Sequence, residues 1–407
     1  MDPAGNDVVA TLHWLAGLAP TRLTGTPDEE RVQKAIAGRL ERRGYRVSWH
    51  PFAFPPHIYG SLALHFGLAL LLAGLAGAWP LAAGVGHLIV AFSFFSEAVL
   101  RRHVLRGLWP EVQSRNLLAT LPAEGAPRRR IVLLAHVDSA FTGLMFHPPI
   151  LKAIAKPPPS FLPFLKKQLL LPLVCVLLLA AIELLQTGAP VWLRVALCIP
   201  VALVFLLNAE VVLRNQVVPG AADNLSGCAA QIVLAEAWAD EAPGDVEVVF
   251  AFTGAEEAGT GGAAHLARTM GWDPKITEVL VLDTLSNGEL FVLEEGELFR
   301  VPIPPSLFQE ARLAALDVGL PPPEPYAVPA GATDALPFLV EGYRAMALTC
   351  LDREQHAPRN YHHPLDTADR VDPEQLRAST RLAAQLLRRL SHPQYSRLIP
   401  GSGRVPE

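Results

Sequence analysis

The 407-residue chain is 51% hydrophobic and only 18% charged, a balance that excludes a disordered protein. Its 34 Lys+Arg against 39 Asp+Glu leave a net charge of −5, so no basic field exists to draw nucleic acid. Four cysteines, two of them inside apolar runs, make neither a disulfide scaffold nor a metal-ligand pair. The length exceeds one ordinary core, which points to two domains or one domain with insertions, and a mean hydropathy of +0.28 points to membrane segments.

At the N-terminus, Val8 to Leu18 and Pro27 to Arg43 read as helices, and Tyr45 to Phe54 as an extended run. The apolar residues then concentrate. Gly60 to Trp79 carries one histidine and no formal charge, and Leu81 to Leu100 carries only His87 and Glu97. Ser114 to Leu121 and Arg130 to Asp138 predict two strands about a Pro/Gly turn at 122–127. A Pro-rich stretch at 148–163 predicts a loop at the membrane interface. Gln168 to Thr187, broken by Glu183 alone, and Val191 to Leu207, containing Arg194 and Pro200, form a second apolar pair. As helices, runs of ~20 residues cross the ~30 Å hydrocarbon layer, so the two pairs predict two transmembrane hairpins. The alternative, helices buried in a large soluble core, is weaker because core helices rarely lack a polar face over this length. No apolar run stands at the extreme N-terminus behind basic residues, so no signal peptide is expected.

The flanking charges choose a side. Seven Lys/Arg precede the first run and eleven lie between Arg101 and Lys167, while the hairpin turns hold none and only Arg194. The positive-inside rule therefore predicts an integral protein of the inner or plasma membrane, with four transmembrane helices and both termini cytoplasmic. The expected organisation is a catalytic domain in three pieces, 1–57, 101–167 and 212–393. Hairpins at 58–100 and 168–211 interrupt it, and a flexible tail at 394–407 follows. Further on, Ser226 to Asp240 and Gly262 to Met270 predict helices, Val246 to Phe252 and Glu278 to Leu282 strands, and the Pro-rich 321–329 a loop. Strands alternating with helices argue an α/β fold with a mixed central sheet flanked by helices.

Five short signatures carry the chemistry. His136 and Asp138 close an apolar strand, sharing a face at i and i+2, so the carboxylate can orient the imidazole. Asp223 lies in a Gly-containing turn that opens a helix, where an ordinary N-cap also suits it. Glu256 and Glu257 follow a buried strand, where adjacent like charges ask for a cation. Asp283 ends another strand, and Tyr361-His362-His363-Pro364-Leu365-Asp366 precedes the final helix. Each alone has a bland reading, as a structural histidine or a solvated loop. Together they supply what a two-zinc site needs: neutral imidazoles, hard carboxylates and one acid able to bridge.

In this order the motifs resemble the di-zinc metallopeptidase family of bacterial leucyl-type aminopeptidases, which also contains glutamate carboxypeptidases and glutaminyl cyclases. The resemblance implies that His136 and Asp283 hold one zinc, Glu257 and His362 the other, and Asp223 both. It makes Asp138 the partner of His136, Glu256 the general base toward the attacking water, and Tyr361 a donor to the oxyanion. Thr333-Asp334 resembles a segment where Ser-Asp-His is usual, without the histidine; Ala222 stands where an acid is frequent, and Thr-Leu follows Asp283 where Met-Ile is common. The large departure is the 84 residues between Asp138 and Asp223, normally a short connection. The implied activity is peptide hydrolysis of aminopeptidase type with two zinc ions. A cyclase or carboxypeptidase variant, and an inactive membrane-anchored interaction module, are the competing readings. If 45–54, 114–121 and 130–138 form an antiparallel meander, both hairpins leave the domain on its catalytic edge. The loop 140–167, with Phe161, Phe164, Lys166 and Lys167, would then cover the gap as an interfacial lid, favouring membrane-proximal peptides.

Overall fold

In a computed structural model of the chain, residues 7–156, 168–239, 241, 244–329 and 331–392 are described. The elements run α1 (Val8–Leu18), α2 (Pro27–Glu41), β1 (Arg46–Phe54), α3 (Ile58–Leu75), α4 (Pro80–Leu100), β2 (Val112–Leu121) and β3 (Arg129–His136). A two-residue strand β4 (Phe141–Thr142), α5 (Pro148–Ala155), α6 (Leu170–Leu184), α7 (Val191–Arg214) and a short β5 (Gln216–Val217) follow. The chain continues with α8 (Ser226–Trp238), β6 (Val246–Thr253), α9 (Gly261–Thr269), β7 (Thr277–Leu282), β8 (Glu289–Leu293) and α10 (Pro305–Asp317). It closes with β9 (Glu324–Tyr326), α11 (Ala335–Val340), β10 (Arg344–Leu351) and α12 (Pro373–Ser391).

Eight strands make one mixed sheet in the order β1-β2-β6-β3-β7-β10-β8-β9. The central four, β6, β3, β7 and β10, are parallel and covered on both faces, so their residues are apolar in both alternating sets. Ile131, Leu133, Phe250, Phe252, Leu280 and Leu282 face the layer of α1, α2, α8 and α12. Val132, Leu134, Val249, Ala251, Val279 and Val281 face α9 and α11. Helix starts follow local chemistry: Thr26 caps α2 ahead of Pro27, and Asp372 caps α12 ahead of Pro373.

Three expectations are corrected. The meander does not form, because β6 lies between β2 and β3, pairing antiparallel with one and parallel with the other. An apolar strand such as Val246–Thr253 gains most in the middle of the sheet. β3 nonetheless runs the same way as β1, so the end of β1 and the end of β3 share one edge. The Pro-rich 148–163 is not simply a loop: Pro148 and Pro149 open α5, where a missing N–H costs nothing. Within 321–329, residues 324–326 form the outermost strand, where Pro325 is tolerated. The lid residues Phe161, Phe164, Lys166 and Lys167 and the tail lie outside the described residues.

The apolar runs form two helical hairpins that pack into one bundle, α3 on α4 and α7, α6 on α4 and α7. Among the described residues three helices are long and apolar enough to cross a membrane; α6, at 15 residues, spans only about 22 Å and is shorter than predicted. The bundle is built inside out. Leu88, Ile89, Phe92, Val195, Ile199 and Leu203 are exposed, while His65, His87, Ser93, Glu97 and Glu183 are buried. His87 Nε2 donates to the Ala69 carbonyl (2.9 Å) and its Nδ1 meets Glu183 Oε2 at 2.7 Å. Glu97 accepts from Ser61 Oγ (2.8 Å) and Arg106 Nη1 (2.9 Å). Gly84 is required by close approach, since a Cβ there would lie 2.6 Å from Leu184 Cγ.

Candidate metal centre

The carboxyl ends of the parallel strands converge on one edge, and each brings a polar side chain. β3 ends in His136, β6 runs into Glu256 and Glu257, and β7 runs into Asp283. Asp223 sits in the turn before α8, and His362 in the loop between β10 and α12. His136 Nε2 lies 3.2 Å from Asp223 Oδ1 and 3.9 Å from both Asp283 Oδ1 and Glu256 Oε2. His362 Nε2 lies 3.2 Å from Glu257 Oε2 and 3.4 Å from Asp223 Oδ2. The two oxygens of Asp223 thus turn to two different imidazoles.

Two three-donor sets result, His136/Asp223/Asp283 and Asp223/Glu257/His362, each with its ligand atoms within 4.8 Å of one another. A third, His136/Glu256/Glu257, overlaps them. Nitrogen and carboxylate donors in sets of three with a shared acid suit zinc. Glu257 Oε1 is buried without a hydrogen-bond partner, as a ligand atom awaiting a cation would be.

The electrostatics agree with a cation site. Burial pushes Glu256 well above the usual carboxylate range against the pull of His136, with Glu257 and Asp334 adding to the rise. Burial, then Asp223, lifts Asp283 to about 7. Burial works to discharge His362, but Glu257 and Asp223 outweigh it and raise the ring to about 10. His136 is raised well above its usual value in the same way, chiefly by Glu256 acting against burial. A field that holds two buried imidazoles protonated favours any cation placed there, and a divalent metal competes directly with those protons.

The support around these groups is mostly backbone held by distant side chains. Asp138 Oδ1 accepts from Glu256 N (3.1 Å), and Oδ2 from Glu257 N (3.0 Å) and Thr24 Oγ1 (3.0 Å). Asp138 stands beside His136 as expected, but its carboxylate is not within hydrogen-bond distance of the ring. His136 Nδ1 donates to the Asp138 carbonyl (3.2 Å), while the carboxylate, 3.6 Å from that nitrogen, aims the Glu-Glu pair. Asp366 accepts from Ala222 N (2.8 Å) and Asp223 N (3.1 Å). Asn224 donates to the Leu282 carbonyl (2.8 Å) and accepts from Thr284 N (3.1 Å), tying the Asp223 turn to the end of β7. A Cβ at position 227 would lie 2.2 Å from the same Leu282 carbonyl, which requires glycine there.

Several of these supports have no local sequence signal. Arg22 is fully buried, and its guanidinium donates to the carbonyls of Val137 (2.7 Å), Pro219 (2.7 Å) and Gly220 (2.8 Å). It pins the His136 strand end to the Asp223 turn. Tyr59, in the first apolar helix, meets His362 Nδ1 at 2.9 Å. Tyr361 stacks on the His362 ring with centroids 3.8 Å apart, and burial and Asp223 push its hydroxyl well above the usual phenol value. Asp334 takes a hydrogen bond from Thr253 (2.5 Å) beside the site, and its other oxygen is buried without a partner. His363 belongs to neither donor set.

Residues 209–387, which carry every one of these ligands except His136, match peptidase family M28. No curated protein matches the chain. Among solved structures, the chain is similar in fold to BSAP, a zinc aminopeptidase from Bacillus subtilis, at 15% identity and a TM-score of 0.57, covering 94% of each chain. It is also similar to a Zn-dependent exopeptidase from Parabacteroides distasonis (13% identity, TM-score 0.56, 95% of this chain and 98% of that one). A glutaminyl cyclase from Bacteroides thetaiotaomicron shares the fold as well (14% identity, TM-score 0.54, 93% and 96%). The segment that carries four of the five candidate ligands is thus a peptidase family M28 segment. The matched segment begins inside α7, so the first apolar hairpin lies wholly before it.

Proposed function

We propose that this chain is a membrane-anchored, zinc-dependent exopeptidase of aminopeptidase type with two co-catalytic zinc ions. The observation that carries the reading is Asp223, whose two oxygens serve two separate imidazole–carboxylate sets. His136 and Asp283 would hold one ion, Glu257 and His362 the other. Bound zinc supplies Lewis acidity, which makes a water acidic and a peptide carbonyl electrophilic at neutral pH. Glu256 is left over by the two sets and, at 11% exposure, still reaches the mouth of the site. Its carboxylate takes the proton of the attacking water and passes it to the leaving amine. Tyr361, kept protonated by its surroundings, donates to the developing oxyanion. Asp138 holds the backbone of Glu256 and Glu257 so that neither carboxylate swings away.

The hairpin bundle, apolar outside and polar inside, is seated in the inner or plasma membrane, with the catalytic domain on the cytoplasmic side. Trp79 and Trp192, both exposed, stand at the hairpin tips as interfacial anchors. The hairpin that follows β1 leaves from the edge that carries His136, so the site opens near the headgroups and peptides close to the membrane are the substrates. The test is zinc analysis of detergent-purified protein beside a panel of aminoacyl anilides and N-terminal glutaminyl peptides. About two zinc ions per chain with anilide hydrolysis is the expected result. Cyclisation without hydrolysis would overturn the peptidase reading in favour of a cyclase, and absence of both activities would point to an interaction module. A phosphatase reporter fused after residue 407 should be silent; activity there would reverse the orientation.

A further inference from the structure

The two imidazoles of the centre differ in what holds their second nitrogen. His136 Nδ1 donates to a carbonyl two residues away in its own strand end. His362 Nδ1 faces the hydroxyl of Tyr59, 303 residues distant and on the first turn of α3, the first apolar helix. With Nε2 turned to Glu257 and Asp223, a neutral ring carries its proton on Nδ1 and donates it to the phenol oxygen. The phenol itself is fixed from both hairpins. Tyr59 is buried against Phe141, Phe146 and Val211 of α7, edge-on to the Phe146 ring at 5.9 Å.

The other root of the first hairpin reaches the same half of the centre. Glu97, in the last turn of α4, binds Arg106 (2.9 Å). Arg106 in turn donates to the carbonyls of Pro55 (2.8 Å) and Ala258, the residue after Glu257. Arg106 is 1% exposed, so this link is as buried as the ligands themselves. The His136/Asp283 half, by contrast, hangs on Asp138, Asn224 and the strand ends of the sheet.

We propose that Tyr59 is a positioning residue for His362, and that the metal position on the Glu257/His362 side therefore depends on the hydrophobic hairpin. The inference rests on the metal reading of the site. His362 sits at φ +50°, a conformation strained for a non-glycine residue, in a loop with no strand to fix it. Without an acceptor at Nδ1 the ring loses both its tautomer and its orientation.

The experiment uses the full-length protein in detergent, with zinc affinity measured by competition against a chromophoric chelator. Tyr59→Phe should weaken one zinc equivalent by about 10–100-fold and leave the other unchanged. Thermal unfolding of the zinc-stripped variant should match wild type, because the ring and its packing remain. Tyr361→Phe, which keeps the stack on His362 and touches no Nδ1 bond, should leave both affinities alone. Unchanged zinc affinities in Tyr59→Phe would overturn the inference. So would an equal loss in Tyr361→Phe, or a loss at both positions accompanied by a lower unfolding temperature, which would mark a purely structural role. Should wild type bind a single zinc, the two-ion reading fails, yet Tyr59→Phe still decides: a weakened ion supports the positioning role and an unaffected one removes it.

Discussion

Two regions of this molecule bury charge, and they do it in opposite ways. In the hairpin bundle each buried acid has a basic partner: Glu183 meets His87, and Glu97 meets Arg106. At the sheet edge, Asp138, Asp223, Glu256, Glu257, Asp283 and Asp334 gather around two imidazoles, with the Arg22 guanidinium behind Asp138 and Asp223. The first arrangement is neutral by itself, although Glu183 Oε1 is left without a hydrogen-bond partner among the described residues. The second carries surplus negative charge in a place shielded from water, which is stable only with a cation. Balance marks a structural polar network and imbalance marks a ligand site, although both are equally buried.

The largest effect that could break this contrast is at the shared acid. Asp223→Ala removes one donor from each set, so metal analysis should find both ions depleted while wild type keeps them. Retention of both would place the bridge elsewhere. Glu256→Gln removes charge but no donor from the two sets. Hydrolysis should fall on the order of 10²–10⁴-fold with zinc retained. Turnover near wild type would end its assignment as base.

Each of these groups was legible in the sequence for a physical reason. His136, Glu256, Glu257 and Asp283 interrupt strongly apolar strands at their carboxyl ends, where an α/β sheet exposes its side chains. Asp223 and His362 were legible from turn chemistry and a dipeptide histidine motif. Strand existence was equally clear, because β3, β6 and β7 are apolar on both faces. The sheet order was not, since nothing local says that β6 enters between β2 and β3. Nor was the support of the site. Arg22 finds Val137 across 115 positions, Asp366 finds Ala222 across 144, and Tyr59 finds His362 across 303. Long-range hydrogen bonds of this kind leave no periodicity to read. The Pro-rich segments misled because proline also opens helices and lines sheet edges.

A smaller effect sharpens the bundle half of the comparison. His87→Leu leaves Glu183 buried with no base beside it. Unfolding in detergent should show a loss of about 3–5 kcal/mol, as for other buried pairs cut on one side. Adding Glu183→Leu should restore most of it, because the neutral pair of side chains suits the surrounding apolar helices. If the double replacement were as damaged as the single one, His87 and Glu183 would matter for something other than their mutual charge.

The smallest effect concerns an acid between the two regimes. Glu29, in the first turn of α2, is 2% exposed and accepts from Gly25 N (2.6 Å) and Ser114 Oγ (2.8 Å). No base contacts it among the described residues, and burial, then the charge of Asp138, pushes its carboxyl up to about 8 against the more distant pull of Arg115. In the unfolded chain the same group titrates near ~4.3. A carboxyl whose folded pKa lies above its unfolded one stabilises the fold fully below the unfolded value. That contribution fades as pH rises and is gone once pH passes the folded value. Glu29→Gln keeps the size and both hydrogen-bonding positions but cannot ionise. With both proteins stripped of zinc, so that ligation does not vary with pH, their unfolding temperatures should coincide near pH 4. The variant should then pull ahead by several degrees as pH approaches 9. A gap that stays constant from pH 4 to 9 would show that Glu29 is charged throughout, and that the surplus negative field does not extend beyond the metal centre.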